Sequence, residues 1–409
     1  MRTYHRVEIV GEAFPEDRPV LVVQNHTNGL CDAHVLMCTT PRPLRILVKY
    51  KLITAPVIGW MLRRMRAVPV YRRKDGVDTR KNAQSFEAID EALRESSVVA
   101  LFPEGESLNS IGLRPLKTGV ARMATSAEKS VPGGLGVQVV PIGVTYEDRD
   151  RLRCIASTVI GPPINAADHL GSDEGSRDAI QSLLEAVSEG IKNLILHADS
   201  QEEYDTAVAL ERLLPQGDAP IGMRRKRAQA SLRADASPQA VERAKAIRAL
   251  GERFAAARLT GDDVLAPAAS AAAAYAPLLT ALPLLLFALP FWLPIAGLGV
   301  FISKFPKTPD KKVTLRVLFG YLALVLTIPM WAAVFAWLAS GTGVSSWVGA
   351  GVGLGLYWLA AQVFVPALDR WIHGRVLRAR RALDANREEL ASLEASLRSI
   401  REAYAQGAS

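Results

Sequence analysis

The chain has 409 residues, a formal charge of +8 and a hydrophobic share of 49%, more apolar than two or three soluble domains of this length require. Its three cysteines, Cys31, Cys38 and Cys154, have no CxxC spacing and its six histidines are scattered, which excludes a disulfide framework and a zinc site. The positive balance fits anionic lipid headgroups or phosphorylated substrates, and a generally basic surface accounts for it as well.

The opening MRTYHRVEIVGEAFPEDRP is polar and lacks the apolar core of a signal peptide, so the N-terminal half is expected to stay in the cytoplasm. Up to about residue 200, the β-branched runs RPVLVVQ, SVVALFP, VQVVPIGVTY and CIASTVIG alternate with helical periods. Helices are predicted at Thr79 to Glu95 and Gly119 to Glu128. This pattern predicts an α/β domain over residues 1–200, a mixed sheet flanked by helices.

Four stretches of that domain carry chemistry. QNHTNGLCDAHVL follows the buried run PVLVV, where a strand ends and a helix begins. There His26 can accept a proton from a hydroxyl while Asp32 takes the other ring N–H. A helix-capping Asn28 with a surface aspartate would leave the same letters. AVPVYRRKD ends a second strand on three cations, Arg72, Arg73 and Lys74. LFPEGESLNS ends a third on proline, glutamate and glycine, and in PLKTGVARMA Lys117 opens a helix. Cations at adjacent strand ends, joined by a helix start, make a phosphate site.

From 201 to 262 the composition shifts to Ala, Glu and Arg, with MRRKRAQ in the middle and breaks at Pro215 and Pro238, and reads as a basic helical connector. It lies either at a membrane surface or in water. Residues 263–368 form an apolar region. Val264 to Ser303 and Val317 to Leu368 contain no Asp, Glu, Lys or Arg, and each exceeds the roughly 20 residues that cross a bilayer. Between them KFPKTPDKKVTLR carries five cations against one acid, and the positive-inside tendency sets that loop in the cytoplasm. The first run is therefore expected to be a re-entrant hairpin about 268–303, broken by its prolines. Transmembrane helices are expected about 317–339 and 346–367, joined by SGTGVSS outside. The last unit, 369–409, has Val376, Ala379, Leu383, Asn386, Leu390, Leu393, Leu397, Ile400 and Tyr404 at 3-4 spacing, an amphipathic seam with Asn386 as a polar interruption. It pairs with a second copy, giving a homodimer, or folds back on the connector.

The blocks NHTNGLCD, VPVYR, FPEG and VVPIGVTYEDRDR, followed by VIGPPI, resemble in content and order the glycerophosphate and lysophosphatidate acyltransferase superfamily over about residues 5–165. By that resemblance His26 is the general base, Asp32 its orienting partner, Arg72, Glu104 and Gly105 acceptor-site residues, and Pro141 part of the strand closing the site. Two features depart from the commonest form. Five residues rather than four separate His26 from Asp32, a spacing resembling the branch of eukaryotic glycerol-3-phosphate and dihydroxyacetone-phosphate acyltransferases. Glu106, Ser107 and Leu108 stand where Thr-Arg-Ser is common, so Lys117 or Lys74 is expected to supply the missing charge.

The resemblance implies transfer of a fatty acyl group from acyl-CoA or acyl carrier protein to a hydroxyl of glycerol 3-phosphate or 1-acyl-glycerol 3-phosphate. It implies no cofactor, no metal and no nucleic-acid partner, with membrane lipids around the apolar region. Gly105 is read as a tight turn whose N–H is a candidate to polarise the thioester carbonyl, and Cys31 as packing rather than a nucleophile. Two rivals keep part of the pattern. A thioesterase would use His26 and Asp32 with water as acceptor, and a membrane adaptor would need neither.

Overall fold

The structure is a computed structural model describing residues 6–107, 110–149, 153–170, 177–267, 270–302 and 326–405. It divides into two units: Met1–Tyr204 with Pro220–Lys226, and Asp205–Ala219 with Arg227–Ser409.

Eight strands build the first unit: β1 (Arg6–Gly11), β2 (Val20–Gln24), β3 (Leu44–Lys49), β4 (Val68–Val70), β5 (Val98–Leu101), β6 (Gln138–Tyr146), β7 (Ile155–Ile160) and β8 (Ile164–Asn165). They form one sheet in the order β1-β7-β6-β2-β5-β3-β4, with β8 also paired to β6. From β6 through β4 the neighbours are parallel, whereas β7 and β8 run antiparallel to β6 and β1 runs parallel to β7. Every residue of β2 and β5 is buried. Unbroken valine-rich runs are what a parallel sheet covered on both faces demands. Helices α1 (Gly29–Thr39), α2 (Tyr50–Ile53), α3 (Pro56–Arg64), α4 (Asn82–Arg94), α5 (Gly119–Lys129) and α6 (Arg177–Lys192) connect or flank the strands. The core joins Leu21, Val23 and Val99 of the sheet to Ile89 and Leu93 of α4, Val120 and Ala124 of α5, and Leu183 and Val187 of α6. The mixed sheet flanked by helices is thus present.

Pro141 lies within β6 opposite Val23 of β2. On the other side of β6 the partner changes from β8, which ends opposite Val139, to β7, which begins opposite Ile142. The proline occupies that step, where the ladder is already interrupted.

α7 (Gln201–Leu213), α8 (Ile221–Ala234), α9 (Ala240–Ala257) and α10 (Gly261–Leu265) occupy the connector, the starts of α7 and α8 up to Tyr204 and Lys226 belonging to the first unit and the remainder to the second, and Pro215 and Pro238 fall between helices as expected. Leu210, Leu213, Ile247, Leu250 and Phe254 pack against Leu393, Leu397, Ile400 and Tyr404 of α14 (Arg387–Ala405). The C-terminal seam therefore folds back on the connector rather than leaving its apolar side for a second copy. Arg401 adds bonds to the Leu213 carbonyl and the Asp262 carboxylate at 2.8 and 2.7 Å. Asn386 is no buried register residue: it is exposed, ends the preceding helix and bonds Glu389 at 2.9 Å. Gly251 is required where α9 crosses α7, because a Cβ there would lie 2.5 Å from the Ala209 Cβ.

The apolar region holds α11 (Ala271–Ile302), α12 (Leu326–Ser340) and α13 (Ser346–Ala385). Here one expectation fails. The described part of the segment 268–303 is not a hairpin, since α11 is a single helix of 32 residues that includes Pro277, Pro283, Pro290 and Pro294. Each proline removes one helical hydrogen bond and leaves the rest of the ladder standing. The run also offers no glycine, asparagine or aspartate before Gly297 to turn the chain. Among the described residues two helices, α11 and α13, are long and apolar enough to cross a membrane. They are antiparallel: Leu278 lies against Gly374, Trp292 stacks on Phe364 at 4.8 Å, and Phe291 meets Tyr357 at 6.0 Å. α12 is antiparallel to α13 too, with Phe335 at Gly349 and Thr327 bonded to Tyr357 at 3.1 Å. The expected start of α12 near 317 lies outside the described residues.

Candidate functional site

Parallel strands bring their C-terminal ends to one edge of the sheet, and in such sheets ligands bind outside that edge. β2 delivers Asn25 and His26 there, β4 delivers Arg72, β5 delivers Phe102 to Gly105, and β6 delivers Tyr146. Four blocks far apart in the chain thereby meet.

His26 Nδ1 lies 2.8 Å from Asp32 Oδ2. Asp32, in the first turn of α1, is fully buried and accepts two more hydrogen bonds, from the Asn28 N–H to Oδ2 at 2.7 Å and from the Tyr146 hydroxyl to Oδ1 at 2.7 Å. Accepting from the ring, Oδ2 fixes the ring proton of His26 on Nδ1. Nε2 is then the basic nitrogen. The ring stacks on Phe102, centroids 4.0 Å apart and planes 13° off parallel, and the His26 side chain keeps 13% of its surface exposed. The site is reachable. Cys31 is buried, and burial followed by the Asp32 charge pushes its thiol far up, so it is no nucleophile.

Glu104 is 2% exposed and faces inward. Its Oε1 accepts the His26 backbone N–H at 2.7 Å and its Oε2 the Arg114 N–H at 3.4 Å. Burial raises its pKa above the usual carboxylate range, the two N–H bonds opposing. The carboxylate holds the His26 backbone and the loop after β5 together. Gly105 has φ +75, the left-handed turn that the sequence implied. Its N–H donates to the Phe102 carbonyl at 3.0 Å, which closes the turn and occupies the group considered for the thioester carbonyl. Arg72 donates to the Gly105 carbonyl at 3.0 Å and to Asp75 Oδ2 at 2.9 Å, so its fork props the same turn. Lys117 is exposed and sits two residues before α5; a Cβ added to Gly105 would lie 3.6 Å from the Lys117 Cγ. Lys74 belongs to a 3-10 turn (Arg73–Asp75), and its side chain lies outside the described residues.

Several residues that position the site had no signal in the spacing of motifs. Asn25 pairs its side-chain amide with both the N–H and the carbonyl of Val144, at 2.7 and 3.0 Å, and so ties β6 to the residue before His26. Ser107 Oγ accepts the Gly29 N–H at 2.6 Å. Arg149 donates to the Thr27 carbonyl at 3.2 Å. Phe102 and Tyr146 lay inside quoted runs, yet only the fold shows that one meets His26 and the other Asp32.

Residues 6–145 match the family model described as Acyltransferase. Glycerol-3-phosphate O-acyltransferase 1 of Saccharomyces cerevisiae is 30% identical over 132 residues, 31% of this chain and 17% of that protein. The chloroplastic 1-acyl-sn-glycerol-3-phosphate acyltransferase BAT2 of Brassica napus is 29% identical over 141 residues, 34% of this chain and 37% of that one. The crystal structure of the 1-acyl-sn-glycerophosphate (LPA) acyltransferase from Thermotoga maritima aligns at 18% identity with a TM-score of 0.33, over 45% of this chain and 69% of that one. The similarity thus spans only about a sixth of the yeast relative's length.

Proposed function

We propose, from the match of residues 6–145 to the family model described as Acyltransferase, that this chain is a membrane-bound O-acyltransferase of glycerolipid synthesis, taking its acyl group from acyl-CoA or acyl carrier protein. The acceptor is glycerol 3-phosphate or its 1-acyl form. The observation that carries this reading is the His26–Asp32 pair at 2.8 Å, set at the strand ends with the His26 side chain 13% exposed. The acceptor hydroxyl gives its proton to Nε2 as its oxygen attacks the thioester carbonyl carbon. The C–O bond forms, the C–S bond breaks, and the imidazolium returns the proton to the leaving thiolate. Asp32 stabilises the imidazolium in between. No acyl-enzyme is needed.

Incubating the purified protein with labelled acyl-CoA, with and without glycerol phosphates, tests the reading. Lipid that forms only when acceptor is present supports it. Acceptor-independent fatty acid would mean a thioesterase, and no turnover at all would mean an adaptor.

The cations divide by what they touch. Lys117 is exposed beside Gly105, whereas Arg72 is bonded to Asp75 and the Gly105 carbonyl. Lys117→Ala is expected to raise the acceptor KM about tenfold and leave the donor KM within twofold, the loss of one charged hydrogen bond. Arg72→Lys is expected to lower kcat instead, since an ammonium cannot span both partners. Initial rates against each substrate separate the two, and a uniform rise in both KM values in Lys117→Ala would exclude a role in holding the acceptor.

We also place the catalytic unit on the cytoplasmic face, with α11 and α13 crossing the bilayer in opposite directions. A 32-residue helix is about 48 Å long, more than the roughly 30 Å of hydrocarbon. The cations after α11 argue for a cytoplasmic loop, whereas the continuity of α11 supports a single crossing; the positive-inside rule is a tendency, and this reading follows the helix. Phe301→Cys and Ser345→Cys should both react with an impermeant thiol reagent on intact cells. Protection of position 301 with labelling at 345 would mean that the chain turns back within the membrane.

A further inference from the structure

Tyr146 closes β6, 114 residues from Asp32 in the chain, and its hydroxyl donates to Asp32 Oδ1 at 2.7 Å. The other oxygen, Oδ2, is shared by the His26 ring N–H and the Asn28 N–H. We propose that Tyr146 is a positioning residue for acyl transfer: its hydroxyl fixes the orientation and charge of the Asp32 carboxylate, and through it the Nδ1–H tautomer of His26. The proposal rests on the acyltransferase reading and adds a third member to its proton-handling unit.

The first argument is the number of donors. A fully buried carboxylate remains ionised only if hydrogen bonds replace the water it has lost. Without Tyr146 both remaining donors crowd onto Oδ2 and leave Oδ1 bare. The carboxylate would then be free to rotate, which loosens the orientation in which it holds His26.

The second argument concerns what kind of partner the hydroxyl is. Burial first, and then the negative charge of Asp32, push its acidity well below that of an ordinary phenol. It therefore keeps its proton through the reaction. It is a permanent donor and cannot serve as a relay that competes with His26 for the substrate proton. The groups facing it and Asp32 are His26, Cys31 and Asn28, and Cys31 is itself held as a neutral thiol.

The third argument is anchoring. Arg225 donates to the Tyr146 and Glu147 carbonyls at 2.9 and 3.0 Å, pinning the end of β6. Asn25, next to His26, is bonded to both backbone groups of Val144, two residues before the tyrosine. The phenol and the imidazole are thus referred to one rigid frame, which a donor on a loop would not provide.

Tyr146→Phe in the full chain removes the donor and little volume. The expected result is a kcat about tenfold lower, the size of one hydrogen bond to a charged group, with both KM values within twofold. Asp32 becomes more basic without its third donor and favours the imidazolium, so the acid limb of the kcat–pH profile should move to higher pH. Replacement of Tyr146 by 3,5-difluorotyrosine, a stronger donor of nearly the same shape, should move that limb the opposite way, which a purely structural role would not do. In an Asp32→Asn background Tyr146→Phe should cost less than twofold. An unchanged kcat and acid limb in Tyr146→Phe, or an equal tenfold loss in the Asp32→Asn background, would overturn the proposal. If Tyr146→Phe fails to fold, the fluorinated protein decides alone by the sign of its shift. If the wild type transfers to no acceptor, the transferase reading fails and the downfield Nδ1–H proton resonance of His26 judges the coupling: it moves in Tyr146→Phe when the coupling is real and stays when it is not.

Discussion

His26→Ala is expected to lose at least about 10²-fold in turnover in protein that elutes and melts like the wild type. The reason for separating activity from folding is geometric. The backbone N–H of His26, which holds Glu104 at 2.7 Å, survives the substitution, so the loop after β5 keeps its main tie. What disappears is Nε2, the ring stacked on Phe102, and the ring N–H that faces Asp32. Loss of the stack and of one hydrogen bond lowers stability by about 1–3 kcal/mol, which a folded domain tolerates. Loss of the base has no such substitute, because water at the acceptor hydroxyl is neither oriented nor basic enough. Labelled-thioester rates, with size exclusion and thermal melting on the same preparation, check it. A variant keeping more than half of the wild-type rate would remove His26 from the mechanism.

Asp32→Asn is expected to cost nearly as much in kcat, about 10²-fold, with substrate KM values little changed. The amide oxygen can take the place of Oδ2 and accept from both the His26 ring and the Asn28 N–H, and the amide nitrogen then faces the Tyr146 oxygen, which can accept. Geometry is preserved while the charge opposite the imidazolium is lost. That separates this variant from Asp32→Ala, which would strand the Asn28 N–H and the Tyr146 hydroxyl in a buried place at about 1–3 kcal/mol each. A rate for Asp32→Asn above half of wild type, measured at the plateau of the pH profile, would mean that the negative charge plays no part.

Local sequence carried much of this site. A valine run followed at once by a polar block with histidine, and later runs ending on arginine or on proline, glutamate and glycine, told where parallel strands stop. The sheet then brought His26, Arg72, Glu104 and Gly105 to one edge. What each side chain does there was less legible. Glu104 reads as a group for a substrate and is instead buried on two backbone N–H groups; Gly105 reads as an N–H donor and uses that donor on its own turn. Tyr146 was invisible because its partner is 114 residues away, and no local pattern encodes a contact across the sheet. β1 was missed for a different reason. It is a short run, Arg6–Gly11, in an otherwise polar opening, and because almost all of its residues are exposed its brief polar–apolar alternation marks no buried face. In the apolar region the prolines suggested a reversal that packing of α11 along α13 overrode.

The seam of α14 on the connector has a consequence in time. Ribosomes deliver the chain from its N-terminus at about 5–20 residues per second. Leu210, Leu213, Leu250 and Phe254 therefore emerge well before Leu393, Leu397 and Ile400, the residues that cover them. The hydrophobic side chains between Asp205 and Leu265 wait on the order of ten seconds for their partner, while the intervening apolar helices are still being made and placed. Throughout that interval the nascent chain shows a sticky face that the finished protein never shows, and biogenesis has to shield it.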